Sequence, residues 1–153
     1  MARLAEEIKM TKPFSLVEEE AMLSLVRTAD VLSQRAADLL KPFGISPAQY
    51  NVLRILRGAK AALACGQIAE RMVSHDPDMT RLLDRMEARG LISRARDGQD
   101  RRVVKAQING KGLRLLEEIQ PLIAAHHRRQ FAAFGEKKLR QLVEWMEQIR
   151  ESI

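Results

Sequence analysis

The sequence predicts a mainly α-helical fold that carries one small β-hairpin. Four Phe, one Tyr and one Trp among 153 residues are few for a β-sandwich, and the many Ala, Leu, Arg, Glu and Met residues favour helices. Apolar residues recur at helical spacing along most of the chain. Two strand-like runs, 91–96 and 102–108, interrupt that pattern on either side of a polar turn.

The composition is typical of a soluble globular protein with one compact domain. A chain with 46% hydrophobic and 30% charged residues can bury a core and does not resemble a disordered chain. The first residues, MARLAEEIKMTKPF, lack the apolar centre of a signal peptide, and no stretch approaches the ~18 apolar residues of a membrane span. Cys65 is the only cysteine, which excludes an internal disulfide and fits a reducing cytoplasm. We therefore expect a cytoplasmic protein without a membrane partner.

The net charge of +6 is concentrated in the middle of the chain. Residues 46–110 hold 12 Lys and Arg against 7 Asp and Glu, a net of +5, whereas the two flanks together hold 14 against 13, a net of +1. A concentrated basic excess is typical of a surface that binds a polyanion. Mildly basic proteins are common, so the excess gains meaning only from the elements that carry it.

The first two predicted helices lead into this basic segment. A helical apolar pattern runs from about residue 16 to 40 and ends at the sequence KPFG. The second helix begins at SPAQYNVLRIL, in which Ser46 is the predicted N-cap, Pro47 the first helical residue and Gln49 the partner in a capping box. Its buried stripe consists of Val52, Leu53, Ile55 and Leu56, and the helix ends at Gly58.

A short helix and a longer one follow. CGQIAERMV predicts the short helix, and SHDP breaks it. Asp76 is the predicted N-cap of the next helix, Pro77–Arg89, which Gly90 terminates. The apolar stripe of this helix consists of Met79, Leu82, Leu83 and Met86. Its exposed side carries Asp78, Thr80, Arg81 and Arg85.

The hairpin that comes next is rich in charge. In RARDGQDRRVVKAQI, four arginines and two aspartates surround the predicted turn, Asp97-Gly98-Gln99-Asp100. Two more helices complete the chain. The first is Lys111–Arg129, in which Pro121 predicts a kink. The apolar residues of the last helix share one face, namely Leu139, Leu142, Val143, Met146 and Ile149.

The order of helix, short helix, helix and hairpin predicts a winged helix-turn-helix, in which the hairpin is the wing. The Pro77–Arg89 helix would enter a DNA major groove, which is about 12 Å wide. A wing arginine suits the electronegative minor groove, and a neighbouring Asp would hold its guanidinium extended. In an arbitrary protein such arginines are more often plain surface charge, or a local salt-bridge cluster worth under ~1 kcal/mol. Their combination in this element order favours DNA contact.

The segment MTRLLDRMEARGLISRARDGQDRRVVKAQINGKGLRLL resembles the core signature of the MarR family of transcription regulators. The typical recognition helix of that family reads TRLLDRLEARGL, its wing D-x-x-D-R-R, and its last strand ends in LTEKG. SPAQYNVLRIL and GQIAERM match the two preceding helices, so the resemblance covers about residues 16–150 and is most specific at 79–112. Two positions depart from the pattern. Ile108-Asn109-Gly110 replaces the Leu-Thr pair, although Asn109 can still cap the next helix, and Ala64-Cys65 replaces a capping Ser or Thr.

The resemblance implies a homodimeric repressor that binds a pseudo-palindromic DNA operator and is released by a small ligand. By position, Arg102 corresponds to the minor-groove arginine of the wing, Asp100 to its buttress and Arg101 to a contact with phosphate or at the wing tip. The predicted DNA-binding set is therefore Asp78, Thr80, Arg81, Arg85, Asp100, Arg101 and Arg102.

The flanking helices exceed what a winged-helix core needs. Residues 46–110 would form the DNA-binding lobe, and residues 1–45 and 111–153 a helical dimerisation region with broad apolar stripes. Two-fold symmetry would then match the pseudo-palindrome. The alternative is that these helices pack only on the core of their own subunit.

The resemblance also implies a cleft between the two regions that takes aromatic or phenolic ligands. Candidate lining residues are Met22, Val26, Phe43, Tyr50, Met72 and Leu116, although Met and Phe at helical spacing are also ordinary core residues. Cys65 at the start of a helix is either a reactive thiol or a buried structural one. The family's peroxide sensors carry their cysteine near the start of the first long helix, where this chain has none.

Metal binding and catalysis are not expected. His126 and His127 are adjacent and would point ~100° apart on a helix, and His75 is isolated, so neither a metal nor another cofactor is predicted. The nucleophile elbow, the Walker loop, the zinc-protease helix motif and the Rossmann fingerprint are all missing from the sequence. The alternative to a regulator is a winged-helix adaptor that binds nucleic acid without reading sequence, or binds a protein partner. RNA is disfavoured because exposed aromatic platforms for unpaired bases are lacking.

Overall fold

Residues 3–153, which the computed structural model describes, fold into helices around a small sheet. In chain order the elements are α1 (Arg3–Glu7), α2 (Val17–Leu40), a 3-10 turn (Lys41–Phe43), α3 (Pro47–Gly58), β1 (Leu63–Ala64), α4 (Cys65–Arg71), α5 (Met79–Ala88), β2 (Ile92–Arg96), β3 (Val104–Ile108), α6 (Gly110–Gln130) and α7 (Glu136–Glu151). This order confirms the predicted mainly α fold with a winged helix-turn-helix. The helix α1 was not predicted, and residues 1 and 2 of the predicted dimerisation region lie outside the described residues.

The connection from α2 to α3 is built as predicted. After α2 the backbone passes through the 3-10 turn to Gly44, whose φ of +68° is a left-handed conformation that a Cβ disfavours. The Ser46 side chain then accepts the Gln49 N–H at 3.2 Å, and the Gln49 side chain accepts the Ser46 N–H at 3.0 Å. The capping box at the start of α3 is therefore confirmed.

The start of α5 corrects the sequence prediction. Asp78, and not Asp76, is the N-cap, because its carboxylate accepts the Arg81 N–H at 3.0 Å. The helix accordingly runs from Met79 to Ala88 instead of over Pro77–Arg89. Asp76 accepts the Asp78 N–H at 2.8 Å and so shapes the turn before the helix. Both aspartates are good caps, and only the path of the preceding loop decides between them.

The wing belongs to a three-stranded antiparallel sheet of order β1-β3-β2. The added strand β1 has two residues, with Leu63 opposite Ala106 on β3. So short a strand carries no periodic pattern, which is why the sequence predicted only a two-stranded hairpin. β2 and β3 pair over all five residues of each strand.

The wing loop, residues 97–103, turns later than predicted. The Val103 N–H donates to the Asp100 carbonyl at 3.0 Å, which places Arg101 and Arg102 in the centre of the turn. The loop contains the predicted turn residues 97–100, with bends at Gly98 and Gln99, but its hydrogen-bonded turn lies later, at residues 100–103. The Gly-Gln pair was the stronger local turn signal, but the strand register fixes where the chain reverses.

The hydrophobic core lies between α3, α5, the sheet and α6. It contains the predicted stripes of α3 and α5, except that Ile55 and Leu82 are only partly buried. Its buried members are Leu40, Ile45, Val52, Leu53, Leu56, Leu63, Ile68, Met79, Leu83, Met86, Leu91, Ile92, Ala106, Leu116 and Ile119. Since Leu40, Leu116 and Ile119 come from the flanking helices, those helices and the middle segment share one core.

The entry to α6 is tightly constrained. The Asn109 side chain accepts the Gly112 N–H at 3.2 Å, which confirms Asn109 as the N-cap. A Cβ at Gly112 would lie closer than 3.0 Å to the Leu91 carbonyl oxygen and to Ile108 Cγ1, so only glycine fits. The helix α6 then continues through Pro121, and the kink expected at this residue stays a prediction.

The last helix has no buried residue in the described subunit. Trp145 and Ile149 on α7 are 54% and 42% exposed, and Met22 and Val26 on α2 are 60% and 53% exposed. Large apolar side chains are therefore left exposed on both α2 and α7. Within residues 3–153 no helix is both long and apolar enough to span a membrane.

Candidate nucleic-acid interface

The solvent side of α5 carries two exposed arginines together with two exposed carboxylates, Asp84 and Glu87. Its buried side, Met79, Leu83 and Met86, holds the helix on the core and turns Thr80, Arg81 and Arg85 outward. Within residues 3–153, neither Arg81 nor Arg85 forms an ion pair with a carboxylate. Asp78 is also exposed, and its carboxylate organises the helix end that carries Thr80 and Arg81.

The C-terminal end of α5 is anchored to the rest of the subunit. The Arg89 guanidinium donates to the carbonyls of Gly44 and Phe43, the latter at 3.3 Å, in the turn that precedes α3. The Lys111 ammonium of α6 donates to the Arg89 carbonyl at 2.7 Å and so satisfies an open carbonyl at the helix end. Gly90 follows with φ of +72°, which confirms it as the terminating glycine. Both ends of α5 are thus fixed, which orients its exposed face.

The wing loop is closed by contacts between its two arms. The Asp97 N–H donates to the Val103 carbonyl at 2.8 Å, and the Asp97 carboxylate lies 3.6 Å from the Lys105 ammonium. The Arg96 guanidinium donates to the Arg101 carbonyl at 2.7 Å. Arg96 is therefore used inside the wing, whereas Arg101 is exposed at its turn.

The Asp100 carboxylate binds both the side chain and the backbone of Arg102. The guanidinium donates from Nε to Asp100 Oδ1 at 3.1 Å and from Nη2 to Oδ2 at 3.3 Å, and the Arg102 backbone N–H donates to Oδ1 at 3.1 Å. The hydrogen bond from the Arg102 side chain, followed by that from its backbone, lowers the pKa of Asp100 below its ordinary value. The Arg102 side chain remains 91% exposed. The structure thus contains the buttress contact, while the contact of Arg102 with DNA stays a prediction.

Arg94 connects the base of the wing to α5, and sequence reasoning missed this role. Its side chain is 21% exposed and bridges two carboxylates of α5, with Nη2 donating to Glu87 Oε1 at 3.2 Å and to Asp84 Oδ1. Hydrogen bonding to Glu87, and then to Asp84, raises the pKa of Arg94 above its ordinary value. The partners lie seven and ten positions earlier on another element, a separation for which local periodicity gives no signal.

A cleft of about 580 Å³ opens between α2, α3, α6 and the loop before α5. Of the six predicted ligand residues, it brings together only Tyr50 and Met72. Leu116 is fully buried in the core and Phe43 packs against that core, while Met22 and Val26 are exposed on α2. The remaining lining is Ser33, Ala36, Leu39, Leu40, Ser46, Pro47, Ala48, Asn51, Arg54, Val73, Ser74, His75, Asp76, Ile123, His126 and His127.

Cys65 and the histidines form no metal site in the described part of the chain. Cys65 is a half-buried free thiol at the start of α4 that packs against the core. No group of three or more His, Cys, Asp or Glu side chains within residues 3–153 has a geometry that could hold a metal ion.

Comparison with known proteins identifies the family. A sequence profile described as MarR family matches residues 45–104. A MarR transcription factor from Planctomyces limnophilus is 36% identical in sequence, with a TM-score of 0.68 over 88% of this chain and 98% of that chain. YsmB, described as an uncharacterized HTH-type transcriptional regulator of Bacillus subtilis (strain 168), is 27% identical over 116 residues, which are 76% of this chain and 79% of YsmB. The S. aureus MepR–DNA complex shows the same fold, with 22% identity and a TM-score of 0.75 over 92% of this chain and 100% of that chain.

The helix-turn-helix and wing define a winged-helix DNA-binding protein. With 36% identity to a MarR transcription factor over nearly the whole length of both chains, this protein belongs to the MarR family. It is a DNA-binding transcription regulator and not an enzyme. The family membership and the fold predicted from the sequence are thereby confirmed.

Proposed function

We propose that the protein is a homodimeric repressor that binds a pseudo-palindromic operator through α5 and the wing. The observation that carries the proposal is the way its arginines are partnered. Arg94 and Arg96 are used in contacts inside the lobe. Arg81, Arg85 and Arg101 form no ion pair within residues 3–153, and Arg102 pairs with Asp100 but keeps a side chain that is 91% exposed. Cations without an internal partner are the ones available to phosphates and base edges.

Each exposed side chain has a distinct role in this proposal. Thr80, Arg81 and Arg85 lie in the major groove, where arginines contact guanine edges or phosphates. Asp78 keeps the first turn of α5 in place. Arg102, buttressed by Asp100, enters the minor groove beside the wing, where narrow A/T-rich segments attract a guanidinium. Arg101 contacts a neighbouring phosphate.

A second copy of the chain covers the exposed apolar faces of the flanking helices. The large side chains left open on α2 and α7 support this assignment. The proposed division is a DNA-binding lobe at 46–110 and a dimerisation region at 1–45 and 111–153. Two-fold symmetry then sets the two α5 helices about 34 Å apart, one turn of DNA. Because its target is genomic DNA, the protein acts in the cytoplasm.

The cleft is the proposed effector site, and its lining favours a small aromatic anion. It combines the apolar surfaces of Leu39, Tyr50 and Met72 with the Arg54 guanidinium and the imidazole N–H donors of all three histidines of the chain. The Arg54 guanidinium lies 5.9 Å above the Tyr50 ring centroid, so an anionic group and an aromatic ring would both find partners there. The loop that lines the cleft leads directly to the cap of α5, so a bound ligand would shift α5 and release the operator.

Titration calorimetry with benzoate tests the effector site. We expect binding in the parent protein, weaker binding in Arg54→Gln, and a lower affinity for operator DNA in the presence of benzoate. Benzoate that binds without changing the affinity for DNA would argue against an effector role for the cleft.

The first experiment is a selection of genomic fragments retained by the purified protein at about 150 mM salt, a concentration at which non-specific binding is weak. A shared pseudo-palindrome with half-sites about ten base pairs apart is the expected result. Arg102→Ala is the matched variant and should recover fewer fragments with a weaker motif. Retention without a shared motif would instead favour the adaptor, a protein whose basic face binds nucleic acid generically or which acts through a protein partner.

A further inference from the structure

We propose that Arg94 is a positioning residue for DNA recognition, which sets the direction of the wing relative to α5 by bridging Asp84 and Glu87. The inference rests on the proposed roles of α5 and the wing as the two DNA-reading elements. It concerns a residue whose side chain is only 21% exposed and is bound by two carboxylates of α5.

The bridge is placed where the wing leaves the lobe. Arg94 is the middle residue of β2, opposite Ala106 of β3. Its guanidinium contacts two carboxylates three positions apart on α5, and its backbone N–H also donates to Glu87 Oε2 at 2.9 Å. Backbone and side chain of one strand residue are thus held by the same helix. Rotation or lateral movement of β2 against α5 would break all three hydrogen bonds.

The bridge also shapes the charge that α5 offers to DNA. Asp84 and Glu87 lie on the same helix as Arg81 and Arg85, so the four charges cancel in the isolated helix. The Arg94 guanidinium offsets one of the two negative charges, so the surface that includes Arg81 and Arg85 keeps a net positive charge. Carboxylates released near the phosphates would repel them.

The ion pairs of Arg94 are expected to contribute little to the stability of the fold. The side chains of Asp84 and Glu87 are 56% and 41% exposed, and ion pairs with such exposed partners contribute little to the free energy of unfolding. The orientation of Arg94 is nevertheless restricted, because Nη2 donates to both carboxylates and the backbone N–H donates to Glu87 as well. The geometry therefore suits a residue that aligns two surfaces.

A double-mutant cycle between Arg94 and Arg102 tests the proposal. Equilibrium binding to the duplex recovered by the genomic selection is measured for the parent, Arg94→Gln, Arg102→Ala and the double variant. We expect Arg102→Ala to weaken binding about tenfold or more in the parent, but less than about threefold in the Arg94→Gln background, because a misdirected wing no longer delivers Arg102. If Arg102→Ala lowered the affinity for DNA by the same factor in both backgrounds, the positioning role of Arg94 would be overturned.

Two further variants separate orientation from charge. Arg94→Lys keeps the charge but replaces the planar guanidinium with a compact ammonium on a flexible stem, so we expect it to behave like Arg94→Gln in the cycle. If Arg102→Ala weakened DNA binding as strongly in the Arg94→Lys background as in the parent, the charge at position 94 alone would matter. Arg3→Gln removes one charge from an exposed ion pair with Glu7 on α1 and is the matched control, for which the Arg102 factor should not change.

If Arg94→Gln does not fold, the bridge can be removed by substituting its carboxylates on α5 instead. The variant Asp84→Asn with Glu87→Gln removes the partners instead, and it should show the same reduced Arg102 factor. In this variant the amides of the wing loop should exchange faster with deuterium while the core amides keep their protection. If Arg102→Ala does not weaken DNA binding in the parent protein, the assignment of the wing itself is wrong. If Arg102→Ala weakens binding as strongly in the variants without the bridge as in the parent, only the role of Arg94 is wrong.

Discussion

At the scale of single residues, the arginines of the middle segment look alike in the sequence but differ in their partners. Arg94 is held by two carboxylates, Arg96 by a carbonyl, and Arg102 by one exposed carboxylate. Partnering in space, and not spacing in the sequence, separates the arginines that are held inside the subunit from those that are proposed to contact DNA.

The predicted minor-groove contact of Arg102 can be tested by a single substitution. We expect Arg102→Ala to weaken specific DNA binding by about 1–3 kcal/mol and to relax the preference at A/T positions beneath the wing, because a minor-groove contact is lost. Fluorescence anisotropy with operator duplexes substituted at those positions measures both effects. A variant that binds as tightly and as selectively as the parent would refute the wing contact.

The pairing of Asp100 with Arg102 predicts a pH dependence. Because the pKa of Asp100 is lower in the folded wing than the ordinary value of 3.8, the pair contributes its stabilisation above that value and loses it as the pH falls through the lowered pKa. The conformation of the wing loop should therefore not change between neutral and mildly acidic pH. A carbon-13 NMR titration should give Asp100 a higher pKa in Arg102→Ala than in the parent, and equal values would contradict the pairing.

At the scale of elements, close packing at a single glycine joins the wing to the flanking helices. Gly112 lies in the first turn of α6 against the Leu91 carbonyl and the Ile108 side chain, at the place where both wing strands meet the lobe. The NGKG sequence was interpreted as a helix entry, and the cap by Asn109 confirms it. The need for glycine at position 112, however, arises from the neighbouring strand ends.

Replacing this glycine should destabilise the subunit. Gly112→Ala would force its Cβ against backbone, and we expect the free energy of unfolding to fall by about 1–3 kcal/mol, as for other overpacked sites. Gly66→Ala on α4 is the matched control, because a Cβ there meets nothing within 4 Å. The control should be neutral or stabilising by up to about 1 kcal/mol. Denaturant unfolding compares the two, and equal stabilities would contradict the predicted clash.

At the scale of the whole molecule, one shared core and two uncovered apolar faces determine what the subunit can do alone. The core joins the DNA-binding lobe to α2 and α6, so a displacement at the cleft can reach α5 through packed contacts. The uncovered faces on α2 and α7 have no partner within the described subunit. The isolated subunit is therefore half of the proposed operator-binding unit.

The dimer can be tested with one pair of neighbouring substitutions on α7. Ile149→Asp places a charge on the apolar face and should convert the protein to monomer at micromolar concentration, because a buried unpaired charge opposes association. Gln148→Asp adds the same charge on the polar flank and should leave the dimer intact. Sedimentation equilibrium distinguishes them. A dimer that survives Ile149→Asp would remove this face from the interface.

The sequence by itself determined the order of the helices α2–α7 and of the wing hairpin, the caps at Ser46 and Asn109, the apolar stripes of α3 and α5, and the charged wing with its family signature. Each of these is encoded within a few neighbouring residues, through helical period, capping chemistry or turn composition. The tertiary structure alone decided which aspartate caps α5, where the wing turns, how β1 joins the sheet, which residues line the cleft and which carboxylates hold Arg94. These features depend on contacts between segments far apart in the chain, and local preferences cannot rank such contacts until the core has brought the segments together.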